Sequence, residues 1–256
     1  MTGTLQLERA RPGQGALVAR WIARSIDPSI LPLTIWRSPR AGRYVESLLG
    51  AGGDDVPRFY LLRRAGLVAG LAAFRRVDGC AFLNHICIGR RWRGQGWGRR
   101  LLAAATTRYL RAHPAHWVAL DAFAGRPAEA WYRRLGFVEQ ARQGWYCRAS
   151  GPVRGRRLLA LPVAGFDEAA CRHRAWGFST FTAGPYTVGR LYAPYFRLTH
   201  PAAARDRDLA GLLAALDPSR RLLLVAPGPV PSSCWTRLTW SYRLGCSADL
   251  LLERLR

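Results

Sequence analysis

The segment from Asn84 to Gly98 contains the residue types that hold a phosphate group. It reads N-H-I-C-I-G-R-R-W-R-G-Q-G-W-G and joins an apolar strand-like run to a turn rich in arginine and glycine, and then to a helix. Successive backbone N–H groups grip a pyrophosphate only where side chains leave the approach open, and a helix N-terminus adds a favourable dipole. The three glycines leave that approach open, and Arg91 and Arg93 supply positive charge. The segment therefore predicts a phosphate cradle.

Two other kinds of phosphate-binding turn fit the sequence poorly. A dinucleotide-binding turn needs G-x-G-x-x-G, whereas the spacing here is G-x-G-x-G, although Asp121 lies at roughly the right distance for a ribose contact. A Walker-type loop needs a lysine, and the chain contains none.

The turn resembles the acetyl-CoA-binding turn of the GCN5-related N-acetyltransferases (GNAT). The pattern of that family, Arg/Gln-x-x-Gly-x-Gly/Ala, is met by Arg91, Gly94 and Gly96. A second segment, A-E-A-W-Y-R-R-L-G-F from Ala128 to Phe137, resembles the late helix and following strand of the family, and it falls at the distance from the first motif that the family predicts. Two matches in register make the resemblance specific for the first 148 residues.

The resemblance implies an α/β (α+β) fold in which residues 1–149 form a GNAT-type mixed, splayed sheet flanked by helices. Alternating and helical hydrophobic patterns agree with it. They predict strands at 5–10, 59–64, 67–75, 81–88, 117–123 and 137–147, and helices at 13–25, 44–49, 101–110 and 128–135.

A linker-like break at Ser150-Gly151-Pro152 precedes a second, smaller α+β domain, predicted at 156–256. This domain is interpreted as a degenerate GNAT-like repeat or as a substrate or partner module. Its predicted strands are 156–163, 178–182, 186–191, 195–198, 221–226 and 235–244, and its predicted helices are 167–176, 202–216 and 248–255.

Composition limits the classes of function. The six cysteines have no C-x-x-C spacing, so we expect neither a metal site nor a disulfide framework. No apolar run of about 20 residues is present, so we expect a cytoplasmic protein without membrane contact. The formal charge is +23 and all 39 basic residues are arginines. Such a charge raises the encounter rate with polyanions, including coenzyme A and RNA.

The resemblance also implies a reaction and its residues. A neutral primary amine attacks the thioester of acetyl-CoA directly, the backbone N–H of Ile86 stabilises the oxyanion, and Tyr132 hydrogen-bonds to the departing sulfur. Asn84 lies on the same strand and can hold a water molecule. The expected cofactor-binding residues are Ile86, Ile88, Arg91, Trp92, Arg93, Gly94, Gln95, Gly96, Trp97, Gly98 and Arg126. One family position departs from the pattern, because Gly125 stands where the family often has asparagine.

The general base is left open by the sequence. Side chains alternate across a strand, which puts Phe82 and Asn84 on the side of Ile86, and His85 and Cys87 on the opposite face unless a bulge changes the register. Deprotonation through a water chain, or an amine that arrives neutral, is therefore expected.

Three hypotheses follow for the function. The first is N-acyl transfer, expected to be acetyl transfer, to an amine of a small molecule or peptide. The second is the same chemistry on aminoacyl-tRNA or a ribosomal protein, which the charge favours. The third is a module that senses acyl-CoA without turnover. The oligomeric state is not predicted.

Overall fold

The computed structural model describes residues 5–53, 55–149, 161–230 and 234–256. Within it the chain forms two compact units that are each discontinuous in sequence. The first unit contains Met1–Ile26, Gly42–Ala141 and Tyr242–Arg256, and the second contains Asp27–Ala41 and Arg142–Ser241. The contiguous domains 1–149 and 156–256 stay a prediction, and these units assign the segment 27–41 and the C-terminal residues differently.

The elements up to residue 149 follow the predicted order closely. They are β1 (Leu5–Arg9), α1 (Gly15–Ser25), α2 (Ala41–Leu49), β2 (Arg58–Arg64), β3 (Leu67–Val77), β4 (Cys80–Ile88), α3 (Trp97–Ala112), β5 (Trp117–Phe123), α4 (Pro127–Arg134) and β6 (Val138–Ala149).

The sheet of the first unit is mixed. Strands β1 to β4 pair antiparallel in sequence order, and β5 pairs parallel with β4 after the crossover through α3. Alternation along the strands divides the apolar residues between the two faces. Tyr60 and Leu62 join the core cluster that includes α3, whereas Leu61 lies on the other face.

The remaining elements come after residue 160. They are β7 (Val163–Ala164), α5 (Phe166–Trp176), β8 (Ser179–Ala183), β9 (Tyr186–Arg190), β10 (Tyr195–Leu198), α6 (Arg207–Leu216), β11 (Arg221–Pro227), β12 (Thr236–Ser247) and α7 (Ala248–Leu255).

The C-terminal residues complete the core of the first unit. The end of β12 lies beside β5, and α7 packs against α3. Leu244, Leu251 and Leu255 belong to the same buried cluster as the α3 side chains Leu101 and Leu102. Ser247 begins α7 by accepting a hydrogen bond from the N–H of Leu250. The first unit therefore draws part of its core from a segment more than 100 residues away in sequence.

The strands of the second unit also pair in a mixed arrangement. Strand β11 pairs antiparallel with the second half of β6 and parallel with β10, and β9, β8 and β7 follow antiparallel. The parallel pair β10 and β11 is joined through α6, which repeats the β4, α3, β5 order of the first unit. The predicted fold class, a mixed sheet flanked by helices followed by a second α+β unit, is confirmed.

Two expectations for the second unit change. The helix predicted at 202–216 is interrupted, because Asp206 caps a new helix by accepting from the N–H of Leu209 at 2.8 Å, and only a 3-10 turn precedes it. Most of the strand predicted at 156–163, and the break at 150–152, lie outside the described residues. Within the described ranges, no helix is both long enough and apolar enough to span a bilayer.

Candidate active site

A β-bulge in β4 sets the geometry of the site. His85 is opposite Ala73 on β3, but Leu83 is opposite Phe74, so the register skips Asn84. One extra residue reverses which side chains share a face. Ile86 therefore lies on the face of Leu83, within the core cluster that contains α3.

The bulge changes which side chains of β4 share a face with Ile86. Simple alternation along the strand predicted Phe82 on the side of Ile86, and this prediction is wrong because the bulge puts Phe82 on the opposite face. His85 and Cys87 do lie on the opposite face from Ile86, as alternation along the strand predicted. His85 and Cys87 pair with Ala73 and Leu71, and the Cys87 thiol lies 3.9 Å from the Trp21 carbonyl oxygen of α1.

Strands β4 and β5 diverge where the bulge lies. Their ladder covers Ala81 to Leu83. Farther along, the N–H of Gly89 donates to the carbonyl of Ala69 at 2.9 Å, so it points toward β3. Because backbone groups of successive residues point to opposite sides of a strand, the N–H groups of Ile86 and Ile88 point away from β3, toward the gap between β4 and β5.

The N-terminus of α3 has no side-chain cap. Gly96 is the N-cap residue with φ 76° and ψ −1°, a left-handed conformation that favours glycine. The first intrahelical bond runs from the Arg100 N–H to the Gly96 carbonyl at 3.2 Å, so the N–H groups of Trp97, Gly98 and Arg99 lie ahead of the helical ladder. The first turn contains no acid. Backbone donors, the helix dipole and nearby arginines therefore act together.

Side chains of the turn mainly brace it. The Gln95 amide donates to the Arg91 carbonyl at 3.0 Å and accepts from the Trp97 indole N–H at 3.1 Å. Trp97 is itself buried in the core. Arg93 donates from Nε to the Ile88 carbonyl at 3.1 Å, which ties the turn to the end of β4. The side chains of Gln95 and Trp97 are therefore engaged within the protein, and the cofactor role expected of these residues stays a prediction.

Arg91 and Trp92, two of the predicted cofactor-binding residues, have side chains that are at least partly exposed. The guanidinium of Arg91 is exposed and lies 4.6 Å from the centre of the Trp92 ring. Trp92 is partly buried against the core. Sequence reasoning missed Trp131, whose ring would be 3.7 Å from a Cβ at Gly98. Its position directly before Tyr132 was the available signal.

Tyr132 is buried on α4. Its side chain is 7% exposed, and its ring lies 5.0 Å from that of Trp131 and 5.7 Å from that of Phe137. Burial raises the pKa of Tyr132 well above its ordinary value, and the nearby Cys87 thiol adds to that shift. The phenol therefore stays protonated at neutral pH and is able to donate a hydrogen bond.

The departure at Gly125 has a local consequence. Gly125 has φ 69°, and its N–H donates to the Glu129 carboxylate at 2.9 Å across the start of α4. Arg126 is the extended N-cap residue, and Pro127 takes the first helical position, where its missing N–H is tolerated.

Asn84 has a buried acceptor oxygen, whereas His85 has a strongly lowered pKa. Asn84 Oδ1 is buried, and no described residue donates a hydrogen bond to it. Burial, together with the positive charge of Arg75, lowers the pKa of His85 to about 4. Burial also raises the pKa of the Cys87 thiol to about 12. His85 and Cys87 are therefore neutral near pH 7. In the described ranges, no three His, Cys, Asp or Glu side chains gather as metal ligands.

The equivalent helix start in the second unit lacks the cradle. Asp206 caps α6 and Asp208 lies in its first turn. Carboxylates at this end of a helix satisfy the N–H groups and repel a pyrophosphate. Asp206 is therefore a capping residue.

Comparisons with known proteins agree with this geometry. Residues 55–139 match the family model described as an acetyltransferase (GNAT) domain. A tandem GNAT protein from the clavulanic acid biosynthesis pathway, solved without AcCoA, shares 12% identity over 96% of this chain and 99% of its own, with a TM-score of 0.62. A GCN5-related N-acetyltransferase from Kribbella flavida shares 18% identity over 95% of this chain and 71% of its own, with a TM-score of 0.54. At these identities the likeness shows the fold alone. A search of curated proteins finds no match.

Proposed function

Because residues 55–139 form a GNAT acetyltransferase domain, we propose that the protein transfers an acetyl group from acetyl-CoA to a primary amine by direct attack in a ternary complex. The observation that carries this proposal is the backbone geometry beside α3. The N–H groups of Ile86 and Ile88 point into the gap after the bulge, and the uncapped helix start at Gly96 follows eight residues after Ile88.

The residues of the turn fit a pyrophosphate. The N–H groups from Gly94 to Gly98 offer donors at a helix N-terminus, while Arg91 and Arg93 offer exposed guanidinium groups. Ile86, Ile88, Trp92 and Arg126 complete the proposed cofactor-binding set. Bound acetyl-CoA would supply the acetyl group as a thioester with a thiolate leaving group.

Two groups of the chain act on the developing charges. The Ile86 N–H is fixed by the strand, so it donates to the carbonyl oxygen without reorganising as charge grows there. The Tyr132 hydroxyl donates a hydrogen bond to the departing sulfur. Its raised pKa keeps it protonated, and its burial excludes competing water.

Deprotonation of the amine does not need a side-chain base. His85 has a pKa of about 4 and lies on the opposite face from Ile86, so it is a weak base in the wrong place. The buried Oδ1 of Asn84 accepts a hydrogen bond from a water molecule or from the amine itself. We propose that the amine arrives neutral or loses its proton through water held at Asn84.

The acceptor is proposed to be the amine of a small molecule or peptide. The charge of +23 favours a second acceptor class, the amine of aminoacyl-tRNA or of a ribosomal protein. The neutral Asn84 and the glycine at 125 keep an acyl-CoA sensor without turnover as the remaining alternative.

Calorimetric titration with acetyl-CoA and with coenzyme A, beside a thiol-release assay on a panel of amines, tests the proposal. We expect one binding site per chain, because Asp206 and Asp208 occupy the matching helix start of the second unit. Thiol release with one acceptor class identifies the transferase and its substrate class. If binding weakens steeply with salt for RNA-linked amines and not for the others, the second acceptor class is supported. Binding without release on any amine supports the sensor, and the absence of binding refutes the cradle.

A further inference from the structure

Buried polar atoms meet at one end of the second unit, apart from the residues of the proposed transferase. Ser179 on β8 and Arg190 on β9 are direct cross-strand partners, so their side chains share a face. Ser179 is 5% exposed. Its hydroxyl oxygen and the Nε of Arg190 are buried, and the described residues provide neither with a hydrogen-bond partner.

His173 at the end of α5 joins this pair. Its ring hydrogen-bonds to the backbone of Arg190, and its Nδ1 is buried without a partner among the described residues. Burial first, and then the positive charges of Arg190, Arg220 and Arg40, lower the pKa of His173 to about 4. The histidine is therefore neutral and surrounded by cations.

Positive charge exceeds negative charge at this place. Among the described ion pairs, Asp217 is the carboxylate that Arg190 and Arg220 share. Its Oδ2 lies 2.7 Å from Arg220 Nε but 3.5 Å from Arg190 NH2, and its Oδ1 accepts from Ser219. Arg220 is 7% exposed and also donates to the Leu191 carbonyl. Asp217 is thus committed to Arg220, and Arg190 is only weakly paired.

Buried polar atoms without partners are costly, and a guanidinium without a close counterion is more so. An anion accepts from Arg190 Nε and from the Ser179 hydroxyl, and so relieves the cost at these two donors. Arginine often binds carboxylates and phosphates through two N–H groups, but one N–H group of Arg190 already faces Asp217. A ligand here therefore takes one hydrogen bond from Arg190 Nε and another from the Ser179 hydroxyl, and a tetrahedral phosphate has separate oxygens to accept both.

We propose that Ser179, Arg190 and His173 form a site for the phosphate group of a small ligand. Arg190 Nε and the Ser179 hydroxyl donate to separate phosphate oxygens, and the His173 ring lies beside them. Arg220 and Asp217 hold Arg190 in place. The side chain of Arg190 is about a quarter exposed, whereas its Nε is buried.

Thermal unfolding of the full chain against inorganic phosphate, with sodium chloride at matched ionic strength, tests the site. A ligand that binds the folded state raises Tm in a saturable way. We expect such a rise with phosphate and none with chloride. Adenosine monophosphate in a parallel titration distinguishes a phosphate group on a larger ligand, which binds tighter than phosphate, from free phosphate.

Variants separate binding from folding. Ser179→Ala removes a hydroxyl without a described partner, so the phosphate-free protein keeps its stability while phosphate affinity falls roughly tenfold. Arg190→Gln lowers affinity roughly a hundredfold. Arg205→Gln removes an exposed charge of the same unit and keeps the effect. The proposal is overturned by a phosphate effect that is absent, that survives in Ser179→Ala and Arg190→Gln, that is lost equally in Arg205→Gln, or that is lost in Arg91→Gln, which would place the phosphate at the cradle.

Discussion

Replacing Tyr132 by phenylalanine tests the role of the buried phenol. A thiol has a pKa near 8.5, whereas burial raises the pKa of Tyr132 above its ordinary 10. Complete proton transfer from this phenol to a thiolate is therefore uphill, and in the proposed reaction we expect the phenol to act by hydrogen bonding. A hydrogen bond to a charged group contributes about 1.5 to 3 kcal/mol. Tyr132→Phe should lower kcat by roughly tenfold to a hundredfold, since 1.4 kcal/mol is about tenfold.

The same substitution should leave the rest of the protein unchanged. The ring contacts with Trp131 and Phe137 remain, and no cavity forms. We expect the Kd of acetyl-CoA to change less than about twofold and the free energy of unfolding by less than about 1 kcal/mol. Because the phenol stays protonated, the variant should also keep the pH profile of the parent below pH 10.

Tyr60→Phe is the matched control. Tyr60 is also a buried tyrosine of the first unit, with burial raising its pKa, but it lies on β2. Steady-state thiol release gives kcat and KM for both variants, and calorimetry gives the affinity. The reasoning is refuted if Tyr132→Phe lowers kcat less than about threefold, if affinity falls as much as kcat, or if Tyr60→Phe shows the same loss.

Three further predictions concern stability. Gly96→Ala should lower the free energy of unfolding by about 1 to 2 kcal/mol, because Gly96 has a positive φ. Gly98→Ala lies in the helix with space for a Cβ, so it should raise the free energy of unfolding by up to about 1 kcal/mol. Urea unfolding that ranks the two variants in the opposite order contradicts this prediction. Leu251→Ala should lower the free energy of unfolding by about 2 to 5 kcal/mol, because that side chain is fully buried in the first unit. Leu250 is 38% exposed, so Leu250→Ala should lower it by less than about 1 kcal/mol. Equal urea midpoints for the two variants would count against the placement of Leu251 in the core. The unfolded state binds a proton at His85 as the pH falls through 6.5, but the folded state does so only near 4, so the free energy of unfolding should fall by at most about 3 kcal/mol over this range. His85→Gln should reduce that slope in urea titrations at pH 7 and 4.5, and an unchanged slope would refute the shifted pKa.

Much of the first unit was readable from its sequence because its signals are local. Alternation predicted β5 at 117–123 without error, and helical spacing predicted α4 to within a residue. The glycines of the cradle predicted an open turn before a helix, and Gly96 caps that helix in a left-handed conformation. These features depend on neighbouring residues and on backbone conformation, so a linear pattern records them.

The second unit was predicted less completely, and for a local reason. Helical spacing from residue 202 to 216 is continuous, but Asp206 hydrogen-bonds to the backbone N–H of Leu209 and starts a new helix there. A side chain that competes for backbone hydrogen bonds overrides hydrophobic periodicity. The cluster at Ser179 and Arg190 was not predicted at all, because its members belong to different elements and carry no shared spacing.

What the sequence by itself determined is the set of local elements, the family motifs and the excess of arginine. Only the tertiary structure decided which residues face the site. The bulge at Asn84 arises from pairing with β3, so strand parity counted along β4 alone misplaces Phe82. The use of α7 to complete the first unit likewise depends on long-range burial of Leu251 and Leu255 against α3, which no local pattern encodes. Local hydrogen bonding and periodicity are written in neighbouring residues, whereas register and long-range packing are chosen by the whole chain as it buries its apolar surface.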